Sequence, residues 1–343
     1  MPELRKDPVI ERWVIIASER GRRPNEFSVT IDTPSGTFCP FCPGNESRTP
    51  SEIAQWGRDP AAPANSSGWN VRVVSNKFPV LTSEGSLESQ GLGMFDLMNG
   101  VGAHEVIIEN PRHDFDFADA TAPEMHAVWD AYIARFNELR RDERFRHILI
   151  FRNAGAAAGA TVSHPHSQVI AVPITPKQVT EHLEASREYY LRKNRCIYCD
   201  VLRQELSMKD RIVEANEHFV VASPFAARFP FELCIYPRRH SHDFTLMTPA
   251  EVSALSETLP RTLRRIKRAL NNPAYNLMVQ TVPNIQPQNG RAGYGDTIAH
   301  DFHWRIDILP RLTSVAGFEW GTGFYINPVS PESATRFLCE VEV

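Results

Sequence analysis

An α+β fold of two tandem repeats, each an antiparallel sheet with a packed helix, is predicted by three features of this 343-residue sequence. Two Cys-x-x-Cys pairs, Cys39 with Cys42 and Cys196 with Cys199, stand in separate halves of the chain. Each is followed by the same order of β-like and helical segments. Both halves also end their second β-like run on a Pro-Arg step and a histidine, Asn110-Pro111-Arg112-His113 and Pro237-Arg238-Arg239-His240. Such self-similarity marks a duplicated unit rather than two unrelated motifs.

In the first half the expected strands are 71–74 and 104–109. Thr121-Ala122-Pro123-Glu124 then reads as a capping box with Pro in the first turn. The helix after it, 122–141, sets Met125, Val128, Trp129, Tyr132 and Phe136 at spacings of three and four, so one stripe is apolar. A strand at 147–151, a Gly-rich loop and a strand opening at His164 complete the unit. A charged helical connector, 176–195, leads to strands at 211–213 and 231–236. A second capping box, Thr248-Pro249-Ala250-Glu251, starts helix 249–271, whose apolar stripe includes Leu255, Leu259, Leu263 and Ile266. Pro260 is expected to kink that helix. Strands at 275–279 and from His303 follow, and the division falls at 1–175 and 176–343. Segments 43–69 and 282–299 read as long polar loops, a length that more often serves function than connection alone. Cys234 and Cys339 read as inert packing residues.

Composition narrows the function. The chain has 37 Lys and Arg against 41 Asp and Glu, a formal charge of −4, which argues against the clustered basic surface that binds nucleic acid. Its 42% hydrophobic and 23% charged residues are those of a globular protein. Apolar runs such as 148–151 fall far short of the roughly 18–20 residues that span a bilayer. The start, Met1-Pro2-Glu3-Leu4-Arg5-Lys6-Asp7, lacks the apolar core of a signal peptide, so a cytoplasmic location without membrane partners is expected.

In such a compartment, close Cys pairs point to metal or redox chemistry rather than to disulfides. Each pair here is followed by two histidines at matching places, which suits tetrahedral zinc with N and S ligands. The expected sets are Cys39, Cys42, His113 and His164, and Cys196, Cys199, His240 and His303. Both shells are closed, so both zinc ions should be structural.

The chemistry is expected in the segment from Asn153 to Gln168. Gly155 and Gly159, with alanines between and after them, let backbone approach a ligand, and N–H groups of such a loop suit an anion. It is not a P-loop, because the Gly-Lys-Ser/Thr ending is missing. His164, His166 and Gln168 alternate, so they share one strand face. With His164 on the metal, His166 is left beside the loop as a candidate nucleophile for phosphorus. In the second half Arg305 and Asp307 stand at the places of His166 and Gln168, so a single active site, in the first half, is expected.

Gly155-x-x-x-Gly159 followed by His164-Pro165-His166-x-Gln168 resembles the signature of the galactose-1-phosphate uridylyltransferase family, of the histidine-triad superfamily. The resemblance extends to Arg12-Trp13-Val14-Ile15, Asn76 before Phe78-Pro79, and Gly317-Phe318-Glu319, an ending shared with the branch that includes plant ADP-glucose phosphorylase. It implies two histidine-triad-like repeats and a nucleotidyl group carried on His166, with Gln168, Gly159, Ala160, Thr161 and Val162 on the α-phosphate. Arg20, Arg22, Arg23, Arg48, Thr49, Asn76 and Asn153 would contact nucleotide or phosphates, and Ser314, Phe318 and Glu319 match substrate positions. It further implies a homodimer acting on a nucleotide sugar and a sugar 1-phosphate or phosphate.

The expected reaction is ping-pong uridylyl transfer between UDP-glucose and galactose 1-phosphate. ADP-glucose with inorganic phosphate is the alternative within the class, and a zinc-stabilised nucleotide-binding module is the alternative outside it. Metal analysis of gently purified protein should give close to two zinc ions per chain, and a value near zero would remove both metal assignments.

Overall fold

Ten strands drawn from both halves form one antiparallel sheet, in a computed structural model that describes residues 1–20, 38–284 and 294–343. The strands at its centre, His147–Ala154 and Tyr275–Gln280, pair with Asn153 opposite Asn276. Outward on the first-half side come His166–Val172, Ala103–Ile108, Val71–Ser75 and Glu52–Trp56. On the other side come Arg305–Pro310, Leu233–Pro237, Phe219–Ala222 and Ile212–Ala215. The two sequences of pairings match place for place, so an approximate two-fold relates them across the central pair.

Helices Ala122–Leu139 and Pro249–Ala269 cover one face of this sheet. Their stripes, including Trp129, Tyr132, Leu259 and Leu263, join Ile107, Ile150, Val169, Leu277 and Ile306 in one buried cluster drawn from both halves. Each fully buried side chain of this size contributes roughly 1.5–3 kcal/mol. Both helix starts use the expected glutamates. Glu251 Oε2 accepts from the Thr248 N–H at 2.7 Å while Thr248 Oγ1 accepts from the Glu251 N–H at 3.2 Å. Glu124 Oε2 accepts from both the N–H and the hydroxyl of Thr121.

The same glutamates explain the repeated Pro-Arg step. Arg112 reaches Glu124 at 2.8 Å and Arg239 reaches Glu251 at 2.8 Å, tying the strand exit to the helix start in each half. Pro260 lies inside its helix without ending it.

Several expectations change. The strands expected from His164 and His303 begin two residues later, at His166 and Arg305, because the residues ahead of them turn toward the cysteines. The polar stretch 43–69 is not loop throughout. Glu52–Trp56 is an outer strand, its Glu52 held by Arg58 at 2.5 Å and Arg72 at 3.1 Å. A helix, Ile197–Met208, starts within the second Cys pair, and short helices Gly317–Thr322 and Pro331–Cys339 close the chain. Cys234 is buried as expected, whereas Cys339, last in its helix, is exposed. The strands Glu3–Lys6 and Trp13–Ile16 pair with each other, and the latter runs parallel to Tyr325–Asn327. Arg5 adds a 2.8 Å ion pair to Glu332, so the first residues of the chain sit on the second half. Among the described residues no helix is long and apolar enough to cross a membrane.

Replacing Thr248 by Ala should lower stability by about 1 kcal/mol in denaturant unfolding. A change within error would show that the capping box does not hold this helix start.

Candidate active site and metal clusters

The ligand atoms of Cys39, Cys42, His113 and His164 lie within 4.8 Å of one another, as do those of Cys196, Cys199, His240 and His303. Each set could hold a metal ion. Cys42 Sγ stands 3.4 Å from His113 Nδ1 and 3.6 Å from His164 Nδ1. Cys199 Sγ stands 3.3 Å from His240 Nδ1 and 3.4 Å from His303 Nδ1. In all four imidazoles the far nitrogen is anchored. His164 Nε2–H donates to the Asn110 carbonyl at 2.8 Å and His303 Nε2–H to the Pro237 carbonyl at 2.9 Å, equivalent positions in the two halves. His240 Nε2–H donates to the Ala299 carbonyl at 2.9 Å, and His113 Nε2–H to Ser163 Oγ at 3.1 Å. A proton held on Nε2 leaves the Nδ1 lone pair facing the thiols, the arrangement a metal ligand requires. The hydrogen bond from Cys196 draws the Cys199 thiol down, towards the thiolate form that binds metal.

His166 opens its strand directly after this cluster and is buried, with Phe41 edge-on at 5.4 Å. Its Nδ1–H donates to the carbonyl of His164 at 2.8 Å, which leaves Nε2 with the lone pair. Burial holds its pKa below the ordinary value, only partly opposed by that hydrogen bond and by Glu109, so the ring is neutral. A fixed, neutral imidazole with one free lone pair is a competent nucleophile.

Gln168, two residues on and on the same face, is oriented by His104, a residue with no sequence signal of its own. The Val80 N–H donates to His104 Nδ1 at 3.3 Å, which places the ring proton on Nε2, and this is donated to Gln168 Oε1 at 2.8 Å. With its oxygen occupied, Gln168 presents its amide N–H groups. Asn76, at 3.0 Å from His104 Nε2, belongs to the same group.

On the opposite sheet face Glu109, Arg152 and Ser167 form a buried network. Arg152 Nε lies 2.9 Å from Glu109 Oε2, and Ser167 Oγ donates to Glu109 Oε1 at 2.5 Å. Tyr132 hydrogen-bonds Ser167, and Tyr275 hydrogen-bonds Arg152. The strand carrying His166 is thus pinned from behind.

The glycine loop differs in detail from the sequence expectation. Gly155 and Gly159 take φ of 84° and 92°, left-handed values that favour glycine. The N–H groups of Ala158 and Ala160 point back to the Gly155 carbonyl, and that of Gly159 to Ala156, so these three hold the loop's shape instead of facing a ligand. A side chain from the other half locks it: Asn276 Nδ2 donates to Asn153 Oδ1 at 2.9 Å and to the Ala158 carbonyl at 2.8 Å.

A cavity of about 750 Å³ brings together His166, Asn153, Ala160, Thr161 and Val162 with Cys39, His113 and His164 of the first Cys/His set and Lys267, whereas Gln168, Gly159 and Asn76 are not among its lining residues. Thr49 is engaged elsewhere, its hydroxyl between the Glu46 carbonyl and Arg72 at 2.8 and 2.9 Å, and Arg48 is exposed. Ser314 and Phe318 are exposed, and Glu319 Oε2 accepts the Ala316 N–H at its own helix start, so none of these three lines the cavity among the described residues. Arg22 and Arg23 lie outside the described residues, as does the side chain of Arg20.

The class is a duplicated α+β scaffold with a buried, neutral histidine beside a glycine loop, and comparison with known proteins gives the family. The model of the galactose-1-phosphate uridyl transferase N-terminal domain matches residues 1–176, and that of the C-terminal domain matches residues 182–294. The chain belongs to this galactose-1-phosphate uridylyltransferase family. It is 35% identical to the ADP-glucose phosphorylase of Arabidopsis thaliana, over 100% of this chain and 93% of that one. It is 28% identical to the galactose-1-phosphate uridylyltransferase of Thermotoga maritima, over 100% and 99%. Among solved structures it resembles an Arabidopsis thaliana ADP-glucose phosphorylase with bound ADP-glucose, at TM-score 0.81 and 32% identity over 100% of both chains. It also resembles a uridylyltransferase at TM-score 0.74 and 26% identity, over 99% of this chain and 97% of that one.

Replacing His104 by Ala frees Gln168 and should lower kcat by about tenfold or more with little change in KM, since only the orientation of a donor is lost. Replacing Asn276 by Ala loosens the loop and should raise KM as well. Wild-type kinetics in both variants would show that neither side chain orients the site.

Proposed function

We propose that this chain transfers a nucleotidyl group from a nucleotide sugar to a second phosphate compound through a covalent intermediate on His166. The observation that carries the reading is the hydrogen bond from His166 Nδ1–H to the His164 carbonyl in a ring that burial keeps neutral. Nε2 attacks the α-phosphorus, the bond from that phosphorus to the bridging oxygen breaks, and sugar 1-phosphate leaves as an oxyanion. An oxygen of the second phosphate then attacks the same phosphorus and His166 departs with its lone pair restored. Neither leaving group needs a strong general acid, so catalysis rests on positioning and on donors to the phosphoryl oxygens, among them the Gln168 amide.

The two Cys₂His₂ sets fit structural zinc. With Zn–S near 2.3 Å and Zn–N near 2.0–2.1 Å, a tetrahedral shell separates S and N by about 3.6 Å, close to the 3.3–3.6 Å found here. Bound zinc would supply crosslinks between loop and strand, not a step of the reaction. We read residues 1–175 and 176–343 as the two repeats of the unit, and a homodimer as the working form. Ser314, Phe318 and Glu319 are kept as substrate positions on the strength of the family resemblance.

Two substrate pairs lie within this reading. UDP-glucose with galactose 1-phosphate follows from the family. ADP-glucose with inorganic phosphate is favoured by the higher identity to the Arabidopsis thaliana phosphorylase, 35% against 28% for the Thermotoga maritima uridylyltransferase. Protein incubated with UDP-glucose or ADP-glucose labelled in the α-phosphate should retain acid-labile label from the preferred donor. His166→Gly should retain none and lose activity by about 10³-fold or more. Normal turnover in that variant would refute the assignment, and nucleotide binding without label or turnover would favour a non-catalytic module. Because the neutral ring is the nucleophile and its pKa is lowered, kcat/KM should fall only below about pH 6.5. An acid limb centred above neutrality would contradict a His166 nucleophile in this environment.

A further inference from the structure

The approximate two-fold of the sheet maps His166 and Gln168 onto Arg305 and Asp307. It also maps Val106, opposite Gln168, onto Cys234, opposite Asp307. A second cavity lies at that mapped place, in the half without the nucleophile, covered by the segment from Asp7 to Arg12 and by helices Lys177–Lys193 and Ile197–Met208. Its volume is about 80 Å³.

The cavity has a surplus of donors. Arg305, only 9% exposed, uses Nε on Asp307 at 2.9 Å and stacks 5.6 Å above the Tyr198 ring. Its Nη1 and Nη2 have no hydrogen-bond acceptor among the described residues. Arg12 has a buried Nε without a partner, and its nearest carboxylate, Asp7, is 3.6 Å from Nη2. Arg228 lines the same space, paired with Glu232 at 2.8 Å. Arg12, Arg228 and Arg305 each already face one carboxylate, the fourth lining carboxylate, Glu205, is paired with Arg211 at 3.0 Å, and the donors left over are Arg12 Nε and Arg305 Nη1 and Nη2. His182 lines the cavity as a neutral ring. Burial, then Arg305, brings its pKa down to about 3, with Arg12 and Arg228 acting in the same sense against Asp307.

We propose that this cavity is a second anion site, which takes a tetrahedral oxyanion between Arg12 and Arg305: inorganic phosphate, or the phosphate end of a phosphate monoester. A phosphate group offers acceptors only, in a geometry that guanidinium forks match. Size points the same way. The space is several times the about 10–15 Å³ that admits one water, yet well below the roughly 300–1,000 Å³ of pockets for larger ligands, so phosphate fits and a nucleotide does not. The site follows from the topology of the sheet and its unpaired donors, and stands apart from the reaction assigned to His166.

Equilibrium dialysis with radiolabelled orthophosphate on the full-length protein, on Arg305→Met and on Arg12→Met tests it. The wild type should bind one equivalent more than the variants, each of which loses that equivalent or binds it at least about tenfold more weakly while any phosphate at the His166 site is kept. Thermal unfolding verifies that Arg305→Met is folded. If it is not, Arg12→Met carries the test, since it leaves the Arg305–Asp307 pair intact. Unlabelled glucose 1-phosphate distinguishes the sources: displacement of this equivalent assigns the site to phosphate monoesters as well, and retention assigns it to inorganic phosphate alone. Equal numbers and affinities of phosphate in the wild type and the folded variants would overturn the proposal.

Discussion

The chemistry proposed for this protein hangs on one hydrogen bond, from His166 Nδ1–H to the carbonyl of His164. It fixes both the plane of the ring and the nitrogen that carries the proton, and so decides which lone pair is free. The acceptor is the backbone of a residue whose own side chain is held at Nε2 by the Asn110 carbonyl and at Nδ1 beside Cys42. The first Cys/His set and the proposed nucleophile therefore stand two residues apart on one stretch of backbone. Movement of one displaces the other.

Duplication supplies the frame and asymmetry supplies the function. In both halves a Pro-Arg-containing exit pairs with the capping glutamate of the next helix, and a carbonyl three residues before the first histidine accepts from the second. At the position of the proposed nucleophile the halves diverge. Arg305 with Asp307 is a buried ion pair where the first half has His166 with Gln168. The second half is not idle in the first half's site, because Asn276 reaches across the central strand pair to lock the glycine loop. That contact gives the shared sheet a role beyond burial of the core.

Legibility followed the range of the interactions. The helix starts at Thr121 and Thr248 were readable because a capping box is a four-residue event. The Cys/His sets were readable because the pattern occurs twice, and repetition stood in for three-dimensional proximity. The outer strand Glu52–Trp56 was hidden in a polar stretch, since its place depends on Arg58 and Arg72 and not on alternation. His104 was likewise hidden. Nothing local marks a histidine whose partner, Gln168, comes from the neighbouring strand.

By itself the sequence determined the α+β class, the duplication, both Cys₂His₂ sets and His166 as the candidate for chemistry, since each rests on short spacings or on comparing one half with the other. Only the tertiary structure decided that the halves share a single sheet, which tautomer His166 adopts, and that the loop's own N–H groups are largely spent on its shape. It also left Ser314 and Phe318 exposed, away from the cavity of their own chain. These outcomes depend on hydrogen-bond partners more than a hundred residues away, such as Asn276 for Asn153, or on which backbone carbonyl faces a ring. Such directional contacts leave no periodicity in a chain.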